Sequence, residues 1–257
     1  MPRIDEEAFE LLEEQIAFCL ENIRAPECAL SEAGRFYEEA AQALRAHAIL
    51  RLLVDADGDG FSKDLTISGH ARRAWLKRCG RQKFVDYSLQ LSRSGSMLDA
   101  MAGDDFDLAA EIFRLSPPTV QKDEYEDGFW YQRLLGLFLL GAPAAEQSDA
   151  LERLDAAAEG SARVEVCRAL RAKDDEAFDR AFEELLLLRD GEVEADKPQA
   201  AEDLTLFLDG NIFIEGIAVL KVARRAGIRI EPEARMCPTL ALIARKPATP
   251  KDEFYPP

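Results

Sequence analysis

Imidazole is nearly absent from this chain. His47 and His70 are the only histidines among 257 residues. Two such side chains far apart in sequence cannot supply an H-E-x-x-H zinc site, and the run His70-Ala-Arg lacks the acid of an H-x-E deaminase. Glycine-rich phosphate loops, the dinucleotide fingerprint and the nucleophile elbow are missing too. Cysteine is scarce: Cys19, Cys28, Cys79, Cys167 and Cys237 are odd in number and form no C-x-x-C pair. A disulfide framework is therefore not expected, and the thiols read as reduced and mostly buried. Basic residues are also short, with 32 Lys and Arg against 49 Asp and Glu, a formal net charge of −17. A nucleic-acid binder needs clustered cations, so that class is set aside. No apolar run is long enough for a membrane span. The opening MPRIDEEAFELLEEQ is acidic without an apolar h-region, so no signal peptide is expected. These absences lead us to expect a cytoplasmic, non-enzymatic protein without cofactor or metal. Carboxylate pairs abound, but in so acidic a chain no single pair points to catalysis.

Apolar residues make up 47 % of the chain, enough for a sizeable core. The most apolar stretch is residues 204–230, LTLFLDGNIFIEGIAVLKVARRAGIRI. Ile212, Phe213, Ile217 and Leu220 recur at helical spacing, while Ile214, Ala218, Val219 and Val222 cover much of the rest. A helix apolar nearly all round is buried on several sides. Asp209 offers an N-cap and Gly227 a left-handed end, so the expectation is one central helix with the others packed around it.

The remaining chain divides at its prolines and glycines. Residues 5–24 carry an amphipathic stripe through Ala8, Leu11, Leu12, Ile16, Cys19 and Ile23, ending at Pro26. An alanine-rich helix follows over about 31–54, with His47 on its apolar face as a core histidine. The turn DADGDG supplies Asp55, Asp57 and Asp59 in the first half of an EF-hand-like loop, but Thr66 stands where the bidentate Glu belongs, so calcium is not expected. Residues 61–67 read as extended. Residues 70–83, HARRAWLKRCGRQK, are the one basic island. They read either as an anion-binding patch or as a helix side paired with the chain's own acids, with Trp75 as a core anchor. Helix is expected to continue over 84–91. Residues 96–115 form a helical hairpin capped by Asp104 and stopped by Pro117 and Pro118. Asp123, Glu124, Glu126 and Asp127 precede Phe129, Trp130 and the apolar LLGLFLL. Pro143 opens a helix to about Ala158. Residues 165–171 and 174–188 form a second hairpin resembling the first, as in stacked antiparallel helix pairs. Residues 191–198 read as an acidic loop.

Three stretches carry a family resemblance. They are ALRAKDDEAFDRA from Ala169, GIAVLKVARRAGI from Gly216, and Cys237-Pro238-Thr239-Leu240. With the alanine-rich second helix and FWYQRLLGLFLL, they resemble the immunity protein 49 family of bacterial polymorphic toxin systems. The resemblance implies a mainly helical cytoplasmic antitoxin that binds a cognate toxin and blocks it. Toxins of such systems are often nucleases with basic surfaces, which the charge of −17 complements. A helical-repeat scaffold for an endogenous partner is the alternative.

The expectation is thus an all-α fold: a single domain over 1–245, stacked antiparallel helix pairs around a buried C-terminal helix, and an extended tail over 246–257. The partner is expected at Asp123, Glu124, Glu126 and Asp127 with Phe129 and Trp130 beside them, and at Asp55, Asp57 and Asp59. Acids on turns can reach into a concave site, and aromatic neighbours anchor interfaces. The same residues also read as solvated loops over core aromatics.

Overall fold

The computed structural model describes residues 6–25, 27–93, 95–230, 234–247 and 254. Among them the fold is all-α, without strands, as the periodicity implies. Helix α1 spans Glu6–Arg24 and packs on α2, Leu30–Val54. The alanines of α2 let it approach α3, Gly58–Gln82, along its length. The hairpin of α4, Ser96–Ala102, and α5, Phe106–Leu115, lies on α3. Then come α6, Glu126–Leu140, α7, Ala144–Ala157, α8, Ala162–Ala172, and α9, Asp175–Ala200, each touching its predecessor. Helix α10, Leu204–Asp209, returns the chain to α2, and α11, Ile214–Ala226, slots against α4 and α9. A short α12, Thr239–Leu242, closes over α3 and α11.

The apolar C-terminal helix is buried as expected. Ile217, Ala218 and Val219 are fully buried on α11, and Gly227 ends it at φ 90°. The segment is not continuous, however. The amide of Phe213 donates to the carbonyl of Met236 at 2.8 Å, a tertiary bond that replaces helical pairing and breaks the run into α10 and α11. Asp209 therefore lies in the last turn of α10, and the capping carboxylate is Asp203, which accepts from the Thr205 and Leu206 amides.

Helix α3 is as buried as α11, although its composition is polar. Its N-cap is Asp57, and the helix starts at Gly58, so residues 61–67 are helical and not extended. Trp75 is fully buried, its ring tilted against that of Tyr37 at 5.4 Å. The basic island divides two ways. Arg73 and Lys77 pair with Glu111 on α5, at 3.3 and 2.6 Å. Arg78 is buried and donates to the carbonyls of Ile23 and Cys28. His47 is a core histidine whose Nδ1 lies 2.8 Å from Asp64 Oδ2.

Three further elements differ from expectation. Lys83 adopts φ 51° and ends α3, so residues 84–91 carry only one 3-10 turn, Tyr87–Leu89. The cap of α5 is Asp105, whose Oδ1 accepts from the Leu108 amide at 2.9 Å; Asp104 sits one residue earlier at φ 69°. Residues 191–198 belong to α9, which contains Pro198. Near a helix end a proline forfeits little beyond its own N–H bond. Pairs at three-residue spacing, Arg189 with Glu192 and Lys197 with Glu194, support that turn. Pro26 and most of the tail over 246–257 lie outside the described residues. Of that tail, Phe254 is buried, and its carbonyl accepts from the Tyr37 hydroxyl at 2.7 Å.

Buried charges join the helices. Asp99 on α4 is fully buried, accepting from Arg45 at 2.7 Å and Ser68 at 2.6 Å. Arg163 on α8 makes a two-pronged bond to Glu215 on α11, at 2.8 and 2.9 Å. Lys221 on α11 is 4 % exposed and donates to Ala102 O at 2.7 Å and Asp104 Oδ2 at 2.8 Å. Burial pulls the Lys221 ammonium below its ordinary pKa, against the opposing pull of Asp104. Burial likewise pushes Cys19 up to about 11 and Cys79 up to about 12, so both stay as thiols near neutral pH.

Candidate partner-binding surface

Residues 119–125 form an irregular connection between α5 and α6, and one carboxylate organises it. Glu124 is 8 % exposed. Its Oε1 accepts from the amide and hydroxyl of Ser92 at 2.9 and 3.0 Å, and its Oε2 accepts from the Gln121 amide at 2.8 Å. Gln90 adds a bond from its side-chain nitrogen to the Lys122 carbonyl at 2.8 Å. The loop before α4 and the loop before α6 are thus fastened into one frame. Three hydrogen bonds to one charged acceptor make a stiff joint.

The frame sorts the acids and aromatics singled out in the sequence. Asp123 is exposed in a left-handed turn at φ 60°. Glu126 and Asp127 are exposed in the first turn of α6, where they complement the helix dipole. Glu124 faces inward. Phe129 is fully buried and meets the Trp130 ring edge-on at 5.0 Å, and Trp130 is half-buried beneath the Arg153 guanidinium at 4.9 Å. Phe129 therefore supports the edge from behind and does not present itself to solvent. The exposed aromatic here is Tyr125, with 73 % of its surface free, and on the joined loop Val85 and Tyr87 are 77 % and 55 % exposed. None of these three stood out in the sequence, because Tyr125 and Tyr87 are each isolated among polar residues and Val85 has only Phe84 beside it, with no periodicity to assign a face.

The other acidic turn is built differently. Asp57 accepts from the Gly60 amide at 2.8 Å and from Arg51 at 3.1 Å, as the cap of α3. The Gly60 amide holds its carboxyl below the usual range, burial opposing and Arg51 assisting. Asp59 is exposed and accepts from Arg245 at 2.7 Å. Asp55 is exposed at the end of α2. The two halves of the EF-hand-like run thus fall on a helix end and a helix start. Among the described residues no group of three or more His, Cys, Asp or Glu is placed to hold a metal ion.

The acids at 123–127, the helical layout and the C-terminal helix pattern all lie inside one family match. The immunity protein 49 family matches residues 22–240. The chain belongs to this family. No curated protein and no solved structure matches it. As an immunity protein it has an antitoxin role, with a toxin as its general partner. Among the described residues no helix is long and apolar enough to cross a membrane.

Proposed function

We propose that this immunity protein acts in the bacterial cytoplasm as a non-catalytic inhibitor. On this reading it covers a basic surface of a cognate polymorphic toxin, with a nuclease-type domain as the target. The observation that carries the reading is the exposed acidic edge of Asp123, Glu126 and Asp127 around Tyr125, on a frame fixed by Glu124. Such an edge offers charge for a fast encounter and an aromatic ring for an anchor, with little ordering cost because its backbone is already held. The net charge of −17 extends the attraction over the whole molecule. Trp130 and Phe129 serve the edge from beneath. Asp55 is the free acid of a second, smaller contact, since Asp57 and Asp59 are bonded within the chain.

The test is binding and protection with the toxin encoded beside the gene. Changing Asp123, Glu126 and Asp127 together to Lys should slow association about tenfold or more and weaken its salt dependence. Adding Tyr125→Ala should abolish protection of toxin-expressing cells while the helical circular dichroism stays unchanged. An unchanged on-rate and intact protection would move the interface elsewhere. A toxin domain that never binds the unaltered chain would end the inhibitor reading.

A further inference from the structure

A cavity of about 200 Å³ opens between α2, α3 and the start of α4. Tyr37 and Trp75 wall it, and Gln42 and Arg93 stand at its exposed mouth. Arginines line it in a strongly acidic protein. Arg45 is occupied by Asp99 at 2.7 Å. Arg72 is 4 % exposed, and among the described residues no carboxylate pairs with it. Its terminal nitrogens donate to the carbonyls of Ser88 and Gln90, the second at 3.1 Å, and its Nε has no partner. Arg93 donates to Gln90 Oε1 at 2.9 Å and lies over the Tyr87 ring at 5.4 Å, again with no ion pair to a carboxylate among the described residues. Opposite them stands Glu38, partly buried, with no hydrogen-bond partner among the described residues. Burial raises its carboxyl above the usual range, while Arg72 and Arg93 act on it only through space.

Opposite charges beside one small cavity attract strongly, and free side chains would close into an ion pair. Here the backbone carbonyls grip Arg72 and the Gln90 amide grips Arg93, so the charges stay apart. The buried charge of Arg72 and the partly buried one of Glu38 are costly unless something completes them. A plain anion would leave Glu38 uncompensated, and a plain cation would leave both guanidiniums so. We propose that this cavity binds a small zwitterion of amino-acid size, its carboxylate between Arg72 and Arg93 and its protonated amine at Glu38. The volume suits this, being that of a handful of waters at about 30 Å³ each, too small for a nucleotide. The proposal is independent of the toxin.

Isothermal titration of the purified full chain with glycine, L-alanine and L-serine tests it, with propionate and ethylamine as single-charge controls. At least one amino acid should bind about tenfold or more tightly than either control, because propionate leaves Glu38 unmatched and ethylamine leaves Arg72 so. Arg72 holds the 88–90 turn, so the variants are made at the mouth. Glu38→Gln should bring the amino acid down to the level of propionate, and Arg93→Met should weaken it about tenfold, with circular dichroism unchanged. The proposal is overturned if none of the three amino acids binds at about 50 mM. It is equally overturned if propionate binds as tightly as the amino acids, or if neither variant changes the affinity.

Discussion

At residues 55–59 the acids turn toward the chain itself, whereas at 123–127 only one of four does. Asp57 caps α3 and Asp59 meets Arg245, leaving only the Asp55 carboxylate unbonded among the described residues. In the second turn Glu124 takes three hydrogen bonds, and Asp123, Glu126 and Asp127 remain in solvent. Both turns are dominated by acids. What separates them is the supply of donors. The first turn enters a helix whose free amides need an acceptor, with Arg51 and Arg245 nearby. The second lies against a neighbouring loop that needs one acceptor and no more. An acidic cluster is therefore an interface only to the extent that the surrounding backbone and cations leave it unclaimed.

The sharpest way to break this contrast is Glu124→Ala. It strands two amides and a hydroxyl in a nearly closed joint and should cost roughly 3 kcal/mol in urea denaturation. A loss below about 1 kcal/mol would show that the frame does not depend on Glu124. Asp57→Ala comes next, at about 1 kcal/mol for a lost N-cap. Its sign with pH is defined. A carboxyl held below its ordinary value stabilises the fold above pH 3.8, and this contribution disappears as pH falls through the lowered value. The variant should therefore lose less stability on acidification than the parent, and parallel acid limbs would contradict the capping role. Asp59→Asn should cost least, below about 0.5 kcal/mol, because Asp59 keeps its Arg245 pair in open solvent. If Asp59→Asn instead rivals Asp57→Ala, the Arg245 strap matters more than the cap.

Most helices were legible from spacing alone. The stripe of α1, the alanines of α2 and the prolines at 117, 118 and 143 mark boundaries through local chemistry. What stayed hidden was set at long range. The break before Phe213 depends on Met236, and the burial of α3 depends on carbonyl and carboxylate acceptors for its Arg and Ser side chains and on the Arg51 guanidinium that meets Asp64. Polar composition and burial are compatible only when those partners exist, and the linear pattern cannot display them. The acids at 123–127 were visible in sequence, but not the division that turns Glu124 inward and leaves Tyr125 out.

Lys221 and Asp104 stand 117 residues apart in the chain and meet inside it. Until the turn between α4 and α5 is in place, docking α11 would enclose an ammonium with nothing to neutralise it. Helix α11, buried on most of its surface, thus carries its own check against early collapse. Its hydrophobic surface is rewarded fully only after the first half of the chain has formed, which assigns an order to assembly and makes the last helix report on the integrity of the rest.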